Sequence, residues 1–170
     1  MKLICDTREK LPLDFSYSRS VEEVVVKKLD ATDYSLVGFE NKWGCERKAR
    51  GDLVNTLIRD HDRFKREMER LANYDEAYIL VEGTHEELAK YCFHFGNGKA
   101  LNTIYGTLLK YEKHYPVTVQ FCKDRRFMSD YIIRKAQEYL EKQSREFING
   151  IMPSVPQDND TGASSNQAGL

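Results

Sequence analysis

The run Ala77-Tyr78-Ile79-Leu80-Val81 constrains the fold more than any other stretch of this chain. Five residues pass without a charge, so neither side of the segment is suited to water. That is the pattern of a strand buried on both faces of a sheet. Such a strand needs cover above and below, and helices supply it.

The rest of the chain reads as the parts of that assembly. Lys2 to Cys5 is a short strand ending at Asp6, and valine-rich Glu22 to Leu29 is a second. Tyr34 to Phe39 and Trp43 to Lys48 form a hairpin joined by Glu40-Asn41-Lys42. Gly51-Asp52 opens one long helix, with Asp52 as N-cap and Leu53, Leu57, Phe64, Met68 and Leu71 at helical spacing. Thr84-His85-Glu86-Glu87 is a capping box that starts another helix. Leu101, Ile104, Tyr105 and Leu108 mark a further helix. Pro116 precedes a buried strand, Val117 to Cys122, and Ser129 to Phe147 is a final amphipathic helix. The expectation is an α/β fold, a mixed central sheet flanked by helices on both faces.

A length of 170 residues fits one domain. Composition shifts near residue 149. Asn149 to Leu170 holds two of the four prolines and no aromatic residue, so it buries too little to offset its ordering entropy. Residues 1–148 are expected to fold and 149–170 to form a disordered tail. The whole chain carries 26 basic and 27 acidic residues, a net charge of −1, while the folded body has 26 against 25. That balance excludes a protein that binds nucleic acid by bulk positive charge, and it excludes an acidic disordered chain. It leaves room for a local basic site.

No stretch approaches the ~18 apolar residues of a membrane helix. Lys2 is followed by only three apolar residues before a polar run, which is no secretory leader. A soluble, intracellular chain is expected. Cys5, Cys45, Cys92 and Cys122 are widely spaced and read as small buried hydrophobes.

The chemistry concentrates between Asp33 and Asp52. Glu46 and Lys48 lie two apart on a strand and leave the same face. The hairpin can bring Asp33 alongside Glu46, and Asp6, ending the first strand, can join them. Mg²⁺ is commonly held by a few carboxylates with several waters retained, and Mn²⁺ can substitute for it. A lysine beside such a cluster can orient an attacking hydroxide, so in-line hydrolysis of a phosphodiester suits the set. The spacing Asp-x12-Glu-x-Lys also fits a hairpin with surface charges.

Further residues narrow that choice. Asp6-Thr7-Arg8-Glu9 follows the first strand, Thr32-Asp33-Tyr34 opens the hairpin, and Glu46-Arg47-Lys48 is followed by Asp52. Asp62-Arg63-Phe64-Lys65 lies in the long helix, and Ile79-Leu80-Val81-Glu82 ends the buried strand. Together these resemble the XPF-type structure-specific endonuclease domain of the PD-(D/E)XK nuclease superfamily, over roughly residues 2 to 145. The resemblance implies a restriction-endonuclease-like fold and metal-dependent cutting of branched, flapped or junction DNA, in repair or recombination. It makes Asp33, Glu46 and Asp6 metal ligands, with Lys48 catalytic and Arg8 and Arg47 near the scissile phosphate. Glu9 and Glu82 become supporting residues, and Asp52 fits both the motif's last acid and a helix N-cap.

The chain departs from the family's pattern at Thr32 and Asp62, where glycine is usual, and at Glu67, where glutamine is common. The tandem helix-hairpin-helix domain of many relatives is also missing from this sequence. Two alternatives stay open: a non-catalytic DNA-binding scaffold, and a resolvase- or restriction-type nuclease on the same fold.

From Arg47 to Arg70 there are eight basic and five acidic residues. Arg59, Arg63, Arg66 and Arg70 recur at steps of 4, 3 and 4, a stripe that fits either a phosphate-binding ridge or a solvated face held by ion pairs. Arg50 is a further candidate DNA contact. Lys123, Arg125 and Arg126 can serve the same surface or only start a helix. The four histidines have no ligand spacing. Tyr91, Phe93 and Phe95 can stack on an unpaired base or pack their loop. The resemblance adds a homodimer as a possible assembly.

Overall fold

The computed structural model describes residues 1–94 and 98–151. Eleven elements run in the order β1 (Lys2–Cys5), β2 (Glu23–Val26), β3 (Tyr34–Leu36), β4 (Trp43–Lys48), α1 (Arg50–Arg59), α2 (His61–Leu71), β5 (Glu76–Glu82), α3 (His85–His94), α4 (Gly98–His114), β6 (Val117–Cys122) and α5 (Arg125–Ile151). The six strands form one mixed sheet in the order β2-β1-β3-β4-β5-β6. β3 pairs antiparallel with β1 and β4, while β1–β2, β4–β5 and β5–β6 are parallel.

Each face of the sheet has its own core, and β5 contributes to both. Tyr78 and Leu80 point to the α5 side, where they meet Trp43, Cys45, Ile132, Ala136 and Tyr139. Ala77, Ile79 and Val81 point the other way, toward Leu53, Leu57, Phe64, Met68, Leu88 and Ile104 from α1 to α4. The uninterrupted apolar run thus has the two-sided cover it requires. No helix among the described residues is long and apolar enough to cross a membrane.

Several boundaries differ from expectation, each for a local reason. β2 stops at Val26, lies at the sheet edge and is largely exposed, because β1 offers it only four residues to pair with. β3 stops at Leu36, two residues before Gly38, whose φ of +88° turns the chain early. The single long helix is two helices, α1 and α2, separated at Asp60, where φ −131° and ψ 49° leave the helical region. β6 is the other edge strand and is half-exposed rather than buried. Its Val119 N–H is met by Glu112 Oε1 at 2.7 Å, which covers one open edge group. α5 continues through Ile151, so residues 149–151 of the expected tail are helical. Residues 152–170 and Phe95 lie outside the described residues.

The capping box forms reciprocally. Glu87 N–H donates to Thr84 Oγ1 at 3.2 Å, and Thr84 N–H donates to Glu87 Oε2 at 2.7 Å. Asp52, by contrast, is not the N-cap of α1. Ala49 holds that position without a side-chain hydrogen bond, and Asp52 lies in the first turn, where an acid complements the helix dipole.

Candidate active site

A cleft of about 710 Å³ opens where β4 ends and α1 begins. Alternation along β4 sorts its residues. Trp43 and Cys45 enter the core beneath α5, so Glu46 and Lys48 project to the opposite face, beside α1 and α2. Asp33 comes from the residue before β3, and the β3–β4 pairing of Tyr34 with Cys45 carries it next to Glu46. Asp33, Glu46 and Lys48 all line the cleft.

Asp33 Oδ2 accepts the Arg47 N–H at 2.8 Å. Burial raises the pKa of both acids above the usual carboxylate range. Glu9 adds to the effect at Asp33, and Asp33 itself adds to it at Glu46. Lys48 Nζ lies 3.2 Å from Glu46 Oε1 and 3.0 Å from Glu67 Oε2. Burial pulls against the charge on this ammonium, but the two carboxylates outweigh it, and the Lys48 pKa is raised. Two half-buried acids, each raising the other's cost of ionising, are a donor set suited to a divalent cation. Residues Asp33 and Glu46 would hold it. No group of three or more His, Cys, Asp or Glu side chains is gathered as a metal site among the described residues.

Glu67, which stands where glutamine is common in the family pattern, joins the site through Lys48. Its approach to Lys48 spans 19 residues and depends on how α2 lies against the sheet. No local pattern reports such a contact.

Asp6 has a different occupation. It is buried, and its carboxylate accepts from Arg8 N and Nε at 2.7 Å, from Arg8 Nη2 at 3.1 Å and from the Leu29 N–H. Burial alone would raise its pKa, but these donors reverse the sign and hold it low. It is not among the residues lining the cleft, whereas Arg8 is. The acid expected as a third ligand therefore fastens the end of β1 to the loop that follows β2.

Arg47 alternates onto the other face of β4 and forms a crossbar. Its guanidinium donates to both oxygens of Glu9 at 2.8 Å and to Glu82 Oε1 at 2.8 Å. Arg125 Nη1 meets the same Glu82 oxygen at 2.9 Å, and its Nη2 reaches the Leu11 and Pro12 carbonyls. Burial would raise the pKa of Glu9, but Arg47 holds it low. Glu9 and Arg47 thus line the cleft while their network, through Glu82 and Arg125, ties β4, β5 and α5 together at its edge. Arg126 lies over the Tyr17 ring and pairs with Asp130, so Arg125 and Arg126 are occupied away from the cleft.

Asp52, Arg59 and Arg63 line the cleft, and Arg63 continues into an adjoining groove with Arg66 and Arg70. All four stripe arginines are exposed, and none is in an ion pair among the described residues. The alternative of a face held by ion pairs does not describe them. Arg50 turns away toward Glu87, 3.9 Å distant. All four histidines are exposed on helices.

The ERCC4 domain model matches residues 5–134. The chain belongs to the ERCC4 domain family. This ERCC4 domain is similar to XPF from Aeropyrum pernix, with a TM-score of 0.59 and 19% identity over 82% of this chain and 61% of that one. It is also similar to Aeropyrum pernix XPF in complex with DNA, with a TM-score of 0.62 and 20% identity over 91% of this chain and 75% of that one. At those identities the likeness shows the fold, an XPF nuclease-like α/β sheet with helices on both faces. No curated protein matches the chain.

Proposed function

We propose that this ERCC4 domain is a Mg²⁺-dependent endonuclease that hydrolyses phosphodiester bonds in branched, flapped or junction DNA. The observation that carries the reading is the cleft itself. Asp33, Glu46 and Lys48 line it, and it runs directly into four exposed arginines that form no ion pair among the described residues. The similar fold of Aeropyrum pernix XPF, solved in complex with DNA, supports DNA as the substrate class. Nucleases of the XPF type are typically metal-dependent.

Each side chain has a task. Asp33 and Glu46 supply oxygens for the cation and must first shed the protons that burial favours. The bound Mg²⁺ would lower the pKa of the attacking water and offset charge on the phosphate. Lys48, kept protonated by Glu46 and Glu67, offers a positive donor where negative charge develops. Arg59 and Arg63 hold flanking phosphates, and these contacts position the strand without reading its sequence.

Labelled flap, fork, four-way-junction and linear duplex DNAs incubated with Mg²⁺ test the proposal. Cleavage of at least one branched form should be abolished by EDTA and reduced at least a hundredfold in Glu46→Ala and Lys48→Ala. Undiminished cutting in either variant would overturn the assignment. Intact binding without cutting by the wild type would identify a scaffold.

A further inference from the structure

A second recess, of about 320 Å³, adjoins the cleft on the other side of α1. Its walls are Val54 and Ile58 of α1, Tyr91 and Cys92 of α3, and Ala100 of α4. Helical geometry explains the division. Asp52, Thr56 and Arg59 turn toward the acids, while Val54 and Ile58, four residues apart, share the opposite slope. Asn55 and Arg59 line both cavities, so only the crest of α1 separates them. Tyr91 sits close over the start of α1, where a Cβ on Gly51 would lie 3.1 Å from its hydroxyl. Ile58 is 37% exposed, an apolar side chain bordering the charged cleft.

We propose that this slot receives one unpaired nucleobase of a single-stranded segment whose phosphates follow Arg59 and Arg63. The inference rests on the reading of the cleft as a DNA site. Three observations choose the occupant. The slot sets apolar side chains and an aromatic ring beside the polar Asn55 and Arg59, which suits the flat face and the polar edges of a base. Its rim is shared with the charged cleft, so a nucleotide can leave its phosphate on Arg59 and place its base over the crest. Its volume lies at the small end of ligand cavities, which suits one base and excludes a partner helix. A duplex cannot offer that base without unstacking it. The slot therefore makes the domain itself favour an unpaired nucleotide beside the cut, whatever that base is.

The experiment is an abasic scan. A flap DNA carrying a single abasic residue, moved one position at a time through the single-stranded arm, is bound to the full chain in EDTA and followed by fluorescence anisotropy. One position next to the junction should weaken binding by about 5- to 150-fold, the loss expected for one stacked base. In Ile58→Trp, which fills the slot, that dependence should vanish while affinity for plain duplex stays the same. A flat scan on wild-type protein would overturn the proposal, and it requires no variant to fold. If wild type cuts the intact flap yet shows a flat scan, the slot fails and the nuclease reading stands. If wild type binds no DNA, both fail. Self-association that Ile58→Trp abolishes, seen by sedimentation, would assign the slot to a second copy and overturn the proposal.

Discussion

Lys48 sits between Glu46 and Glu67, and both acids raise its pKa. Removing the Glu67 charge as Glu67→Gln should lower the Lys48 pKa. The alkaline limb of a kcat–pH profile for flap cleavage should then move to lower pH, with KM little changed. An unmoved limb would remove Glu67 from the site. Glu46 gives a stability test of opposite sense. Its pKa is raised in the folded state by burial and by Asp33, so its contribution is most favourable below the ordinary carboxylate value. That contribution is lost as pH rises through the folded value. Glu46→Gln cannot acquire the charge, and in EDTA it should melt higher than wild type at pH 8. The gain should be a few degrees and should close toward pH 4. Equal melting at both pH values would contradict it. Glu46 and Lys48 were legible because strand alternation is strict, and Asp33 because a hairpin has one natural partner. The setting of Asp6 was not legible, because it depends on partners outside its own segment. Nothing in Asp6-Thr7-Arg8 shows that the carboxylate turns back to Arg8 and Leu29.

At the scale of elements, Thr32 and Gly44 form a matched pair across the hairpin. Thr32 is buried, and a Cβ on Gly44 would lie 2.7 Å from its Cγ2 and Oγ1. The threonine that replaces a usual glycine is thus accommodated by a glycine on the neighbouring strand. Gly44→Ala should cost about 1–3 kcal/mol by urea denaturation. Thr32→Gly in that background should recover part of it, a non-additivity that contact predicts. Additive losses would show that the two sites do not touch. Element types were readable from periodicity, and element ends were not. The break at Asp60 falls within an unbroken helical spacing of apolar residues, because Leu53, Leu57, Phe64 and Met68 reach one core from two helices.

For the molecule as a whole, the near-neutral charge conceals a division of labour. Acids gather at the cleft floor and around Arg47, while Arg59, Arg63, Arg66 and Arg70 along its wall form no ion pair among the described residues. If Arg63 and Arg66 each hold one phosphate, Arg63→Gln/Arg66→Gln should reduce the slope of log K against log salt by about 2 on duplex DNA. Anisotropy titrations across a salt series measure it, and an unchanged slope would discard the ridge. The sheet with helices on both faces was legible from one apolar run, since that run admits few other environments. The base-sized recess was not, because its walls come from three helices.

The sheet also separates the four cysteines. Cys5, Cys45 and Cys122 lie in the core beneath α5, and Cys92 in the core on the opposite face. All four are buried, and burial raises each thiol pKa. A sulfhydryl reagent can reach them only when the surrounding core opens. The chain thus carries a native chemical clock on each side of its sheet, so the opening of the α5 face and of the cleft-bearing face can be timed separately without engineered labels.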